Sequence, residues 1–153
     1  MRLVRPTLLL LEVAFHIPPP FRFSKLPDAA RLGKWQTEYD VCRLDPTAGC
    51  SLSYALHHLG KFGYHLLRLA GTDALLAHVS VAPLLESRLG ITLPQDEFLC
   101  YRRSILWMNL PSSYTREWFF GSRPALAVGN IWSNLTRLNS LMGHESAPFV
   151  LDF

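Results

Sequence analysis

The sequence predicts a mainly α fold with a minor β contribution: a compact, multi-helix single domain over residues 1–153, with short extended segments at its N- and C-termini. Three observations predict it. Residues 51–90 carry two apolar stripes at helical steps, first Leu52, Ala55, Leu56, Leu59, Phe62, Leu66 and Leu69, then Leu75, Val79, Ala82, Leu85 and Leu89. Helical steps return in residues 95–108 and 124–142. No repeat, coiled coil or low-complexity linker divides the chain, and 153 residues suffice for one buried core.

Taken in order, residues 7–16 form an apolar run that predicts a first β-strand. Arg2 and Arg5 ahead of it give it the look of a secretory signal, but Glu12 interrupts the run, Pro18, Pro19 and Pro20 follow it, and no small-x-small cleavage site appears. The run is also shorter than the roughly 20 residues that span a bilayer. The three prolines predict an extended connection. Beyond them, Phe21, Arg22 and Phe23 alternate as an edge strand would. Residues 24–35 predict a short helix, with Pro27 and Asp28 suited to its start and Gly33 to its end. Residues 36–49 predict a loop containing the turn cluster Asp45, Pro46, Thr47, Ala48 and Gly49.

The central stretch predicts a helical hairpin. Ser51 or Ser53 caps its first helix, Gly71 ends it, and Thr72 or Asp73 caps the second. Pro83 predicts a kink or break near residues 81–83, and Gly90 closes the last piece. After an extended link at residues 91–94, the helix over 95–108 turns Phe98, Tyr101 or Arg102, Ile105 and Met108 to one side. Pro111, Ser112 and Ser113 stop it, and a short aromatic segment over 114–120 ends at Gly121. The helix over 124–142 offers Leu126, Ile131, Leu135, Leu138 and Met142 as inward positions. The tail is extended and apolar enough to dock through Phe149, Val150, Leu151 and Phe153.

Composition narrows the function classes. Charged residues make up 18% of the chain and hydrophobic ones 49%, against a usual charged share of about 25%. The apolar excess is spent either in a generous core or on a surface that a partner covers. A net charge of +3, with no Lys/Arg run longer than the pair Arg102 and Arg103, argues against nucleic acid. Cys42, Cys50 and Cys100 match no zinc or redox spacing, which makes a reducing cytoplasm the expected compartment and buried apolar positions the expected role.

Motifs with chemical content each lack a required residue. His57-His58-x-x-x-Phe62-Gly63 resembles the HHxxxDG motif of condensing acyltransferases, but Phe62 stands where the aspartate organises that site. Gly71-Thr72-Asp73-Ala74, followed by Leu89-Gly90-Ile91-Thr92-Leu93-Pro94, resembles the phosphopantetheine site of acyl and peptidyl carrier domains. There Ala74 replaces the serine whose hydroxyl accepts the arm. His65, Asp73 and His78 have no metal-ligand spacing, and the chain holds no GxSxG and no phosphate-binding glycine loop. The expectation is therefore a protein that is not an enzyme, with no catalytic residue, cofactor or metal. A small acyl-binding or acyl-transfer module using His57, His58 or the Gly71 to Asp73 turn is the alternative, as is a structural subunit of a large assembly.

The aromatic inventory points instead to protein partners. Trp35, Trp107 and Trp132 are joined by a dense cluster around Trp118, and aromatics with arginine are what interfaces favour. Tyr114, Arg116, Trp118, Phe119, Phe120, Phe149 and Phe153 are the candidate partner-binding residues. The order of features also resembles the small cytosolic accessory subunit of the type III secretion sorting platform. Three stretches carry the likeness: Phe21 to Ala30, a Leu-Gly helix from Leu59-Gly60 to Leu69, and the block from Leu75 through Leu84-Leu85-Glu86-Ser87-Arg88-Leu89-Gly90 to Phe98. The resemblance implies a cytoplasmic, non-enzymatic adaptor for protein transport. Its partners would be the cytoplasmic domain of an inner-membrane ring protein and a pod protein, with membrane contact only through the former.

Overall fold

The computed structural model describes residues 5–14, 16–25, 49–104, 118, 124–141 and 149–152. The element order is β1 (Leu8–Glu12), β2 (Arg22–Lys25), β3 (Gly49–Cys50), α1 (Leu52–Gly60), β4 (Tyr64–Ala70), β5 (Asp73–His78), a 3-10 turn (Val79–Val81), α2 (Ala82–Leu89), α3 (Glu97–Arg103), α4 (Pro124–Leu141) and β6 (Phe149–Asp152). The described residues thus form four helices and two three-stranded antiparallel sheets, ordered β1-β5-β4 and β3-β2-β6. This α+β architecture overturns the expectation of a mainly α fold.

The error lies in residues 61–78. In place of a helical hairpin, α1 stops at Gly60 and the chain forms the β-hairpin β4–β5, turning at Gly71 and Thr72. Gly63, at φ +82°, makes the sharp exit from α1, and a Cβ there would meet the His78 ring at 3.1 Å. The physical reason for the misreading is a bulge in β4 between Leu66 and Arg68. One extra residue makes the buried positions Tyr64, Leu66 and Leu69, steps of two and then three. That spacing imitates a helix. On β5, Ala74 and Leu76 are fully buried with the period of two expected of a strand.

Other expectations hold in part. β1 falls inside the predicted first strand. Residues 18–20 do not run straight but lie in a turn, with the Phe21 N–H donating to the Pro18 carbonyl at 3.1 Å. β2 is the central strand of its sheet rather than an edge, and β6 pairs with it along its length, so the tail docks as expected. Pro83 lies in the first turn of α2, where its missing N–H costs nothing, so it starts a helix instead of interrupting one. Gly90 ends α2 in the left-handed conformation, with its N–H on the Glu86 carbonyl. Ser24 and Lys25 belong to β2 and not to the helix predicted over 24–35, and the rest of that helix and of the loop up to residue 48 lies outside the described residues. The helix predicted over 95–108 is shorter: α3 ends at Arg103, where Ser104 turns extended, and residues 105–108 lie outside the described residues.

Two cores result. The first sheet and α1 enclose Val13, Leu52, Ala55, Leu66, Leu69, Ala74 and Leu76, with Tyr64 and Tyr101. α4 packs Ile131 and Leu135 against Ala14, Ile17, Phe21 and Phe23 in the second. Leu126, one of the expected inward positions on α4, is exposed. The cores are tied through Ser51, which has no exposed surface. Its Oγ accepts from the Phe23 N–H at 2.9 Å and donates to the Phe21 carbonyl at 2.6 Å. The same oxygen caps α1 by accepting from the Tyr54 N–H at 3.3 Å. The Val13–Ala14 crossing adds a second tie, because the Val13 N–H donates to the Thr72 carbonyl at the β4–β5 turn and the Ala14 N–H to the Cys50 carbonyl in the second sheet.

Candidate interaction surfaces

Of the residues proposed from the sequence to bind a partner, Tyr114, Arg116, Phe119, Phe120 and Phe153 lie outside the described residues. Trp118 is half-buried: its indole stacks at a tilt on Phe21, 4.9 Å between centroids, and its Nε1–H donates to the Pro19 carbonyl at 2.7 Å. These contacts give the ring a structural anchor in the second core. The backbone of Phe149 lies in β6 opposite Lys25. Trp132 is exposed on α4, beside a shallow depression lined by Ser133, Thr136, Arg137 and Ser140 of the same helix.

The residues of the catalytic-looking motifs are spread across different elements. His57 and His58 are exposed on α1 with their rings edge to face, 5.5 Å apart, and His58 packs on Tyr54 at 4.3 Å. Slight desolvation and the nearby Arg22 and Lys61 charges lower the His57 pKa. Gly71 and Thr72 are the tip of the β4–β5 hairpin. Cys50 and Cys100 are free thiols whose pKa values are raised by burial. Among the described residues no three His, Cys, Asp or Glu side chains converge as metal ligands, and no helix is long and apolar enough to cross a membrane.

Two features that the sequence reading passed over do form surfaces. The first is α2, an eight-residue helix with no buried residue. Leu84 and Leu89 are exposed along it, and Phe62 and Val79 are exposed at the same end of the β4–β5 hairpin. The Val79 N–H donates to the Gly63 carbonyl at 2.8 Å, which holds those two turns together.

The second is the outer side of β1. Leu9 and Leu11 point into the first core, while Leu8 and Leu10 are 50% and 68% exposed on the opposite face. The available signal was the run of four leucines, but a run with no polar residue between its members shows no alternation. No family model, curated protein or solved structure matches the chain.

Proposed function

We propose that this protein is a non-enzymatic protein–protein adaptor that presents α2 to its partner. The observation that supports it most is the mismatch between the length of α2 and its packing. A helix below about 12 residues is marginal on its own and ordinarily gains its stability by burying an apolar face. α2 has eight residues, buries none of them, and leaves Leu84 and Leu89 in solvent. The two leucines are five positions apart, about 140° around the helix at 3.6 residues per turn, so a partner would have to embrace more than one side of α2 to cover both. Phe62 and Val79 extend the apolar surface at the base of the helix.

In this reading the protein works in the cytoplasm and turns over no substrate. The narrower role in a type III secretion sorting platform rests on the sequence resemblance. One of its three stretches, Leu59 to Leu69, is divided between α1 and β4 instead of forming one helix. It supplies the partners to try first, an inner-membrane ring domain and a pod protein.

The test is co-purification from the native host with the full chain and a Leu84→Lys/Leu89→Lys variant. The expected result is a partner held in fixed ratio by the wild type and lost by the variant, with circular dichroism unchanged. Equal retention by both proteins would remove α2 from the proposal.

A further inference from the structure

The hydrogen bonds of β1 define which of its backbone groups are free. In an antiparallel ladder, alternate residues exchange both bonds with the neighbouring strand and the residues between them point both groups the other way. The His78 N–H donates to Thr7 at 2.9 Å and the Val13 N–H to Thr72 at 2.8 Å, in the register that also pairs Leu9 with Leu76 and Leu11 with Ala74. Odd-numbered residues therefore face β5. Leu8, Leu10 and Glu12 direct their N–H and C=O groups to the open side, where they meet no partner among the described residues.

Both ends of this free row are closed. The Ala14 N–H is taken by the Cys50 carbonyl at 2.8 Å. At the other end Pro6 has no N–H, and its carbonyl accepts from the Tyr64 hydroxyl at 2.6 Å. The open row is thus three donors and three acceptors centred on Leu10.

We infer that β1 is a self-association edge, joining two copies of this chain antiparallel about a two-fold axis through Leu10. In that register Leu10 faces Leu10 of the second copy, and Leu8 faces its Glu12. All three outward residues then fall in hydrogen-bonded positions, so six bonds satisfy every free group on both edges. A register shifted by two residues would oppose Pro6 to Glu12 and lose donors. Pairing also continues the packing on both faces. Leu9 lies beside the second copy's Leu11 at the half-buried rim of the first core, and the exposed Leu10 side chains cover each other. Such self-complementarity is what a two-fold contact requires. Five residues a side is well short of the roughly 20–30 of a standard interface, so the dimer is weak and forms at micromolar concentrations or above.

Sedimentation of the full chain across a concentration series up to about 500 μM, a range suited to weak association, tests the inference. The expected result is a monomer–dimer equilibrium that Leu10→Lys weakens at least tenfold, by opposing two like charges on the axis. Leu8→Lys serves as a second variant, with thermal unfolding of each as the control for folding. Cross-linking fixes the register, because hydrogen-bonded partners lie about 5.5 Å apart at Cα, within disulfide range. Under oxidation L10C should give a covalent dimer above the background of the native cysteines, and L8C should not. A chain that stays monomeric throughout, a dimer indifferent to both lysine variants, or equal cross-linking by L8C would each overturn the inference. The adaptor reading rests on α2 and would survive that failure, just as self-association would survive loss of the α2 partner.

Discussion

The two edges of the β1-β5-β4 sheet belong to one layer and meet opposite fates. Beyond β4, the Gln95 N–H donates to the Leu66 carbonyl at 2.9 Å, and α3 lays Tyr101, 2% exposed, into the core behind it. Beyond β1, no strand or backbone group among the described residues pairs with the outward N–H and C=O groups of Leu8, Leu10 and Glu12. Natural proteins usually blunt an open strand edge with a charge, a proline or a bulge. Here the bulge sits on the strand that is already covered, and the open strand has Glu12 only at its end. The contrast teaches that exposure at β1 is unlike the scattered surface leucines of an ordinary domain, because free backbone groups and apolar side chains coincide there.

The sharpest way to break the comparison is Tyr101→Ala. If α3 closes the β4 edge by packing, this truncation should cost about 3–5 kcal/mol, as for large aromatic residues elsewhere in cores, measured by urea unfolding. A loss below about 1 kcal/mol would show that α3 merely lies against the sheet.

A smaller effect is expected at Glu97, in the first turn of the same helix. Its carboxylate accepts from the Ser53 hydroxyl at 3.0 Å, and burial raises its pKa above the ordinary value, an effect that the Ser53 bond partly offsets. A carboxyl with a raised folded-state pKa favours the folded chain below its unfolded pKa, and that contribution is lost as pH rises through the folded value. Glu97→Gln keeps an acceptor for Ser53 and removes the titration. The variant should match the wild type near pH 4 and be more stable at pH 7, by less than about 1 kcal/mol after solvent screening. The same difference at both pH values would assign the effect to the helix end instead.

The smallest effect belongs to the open edge. Leu8→Thr keeps strand propensity and removes exposed apolar area, so thermal stability in dilute solution should stay within about 0.5 kcal/mol of wild type. A larger loss would mean that β1 is covered in the monomer.

How much of this was legible in the sequence follows the range of the forces involved. β1, the Ser51 cap, the Gly90 stop and the start of α4 at Pro124 depend on neighbours in the chain, and each could be read there; the tail showed its apolar character locally, but not that its partner is β2, far back in the chain. The β4–β5 hairpin could not, because the bulge after Leu66 gave a strand the apolar spacing of a helix. Trp118 illustrates the same limit for a site. Its aromatic neighbours suggested a free interface residue, whereas its partner, the Pro19 carbonyl, lies 99 positions away and leaves no local mark. The exposure of α2 was obscured differently: the periodicity placed Leu85 and Leu89 in one inward stripe, but only Leu85 is half-buried, while Leu89 and Leu84 are exposed.

Ser51 also sets how the chain tolerates change in length. Its oxygen bonds to Phe23 and Phe21, 28 and 30 positions earlier in the chain, so those bonds form only once the two ends of the intervening chain have been brought together. The entropy of closing such a loop grows only logarithmically, and each doubling of its length adds about 0.6 kcal/mol. Closing entropy is therefore only weakly sensitive to how many residues separate Phe23 from Ser51, whereas loss of the serine hydroxyl removes both long-range bonds at once.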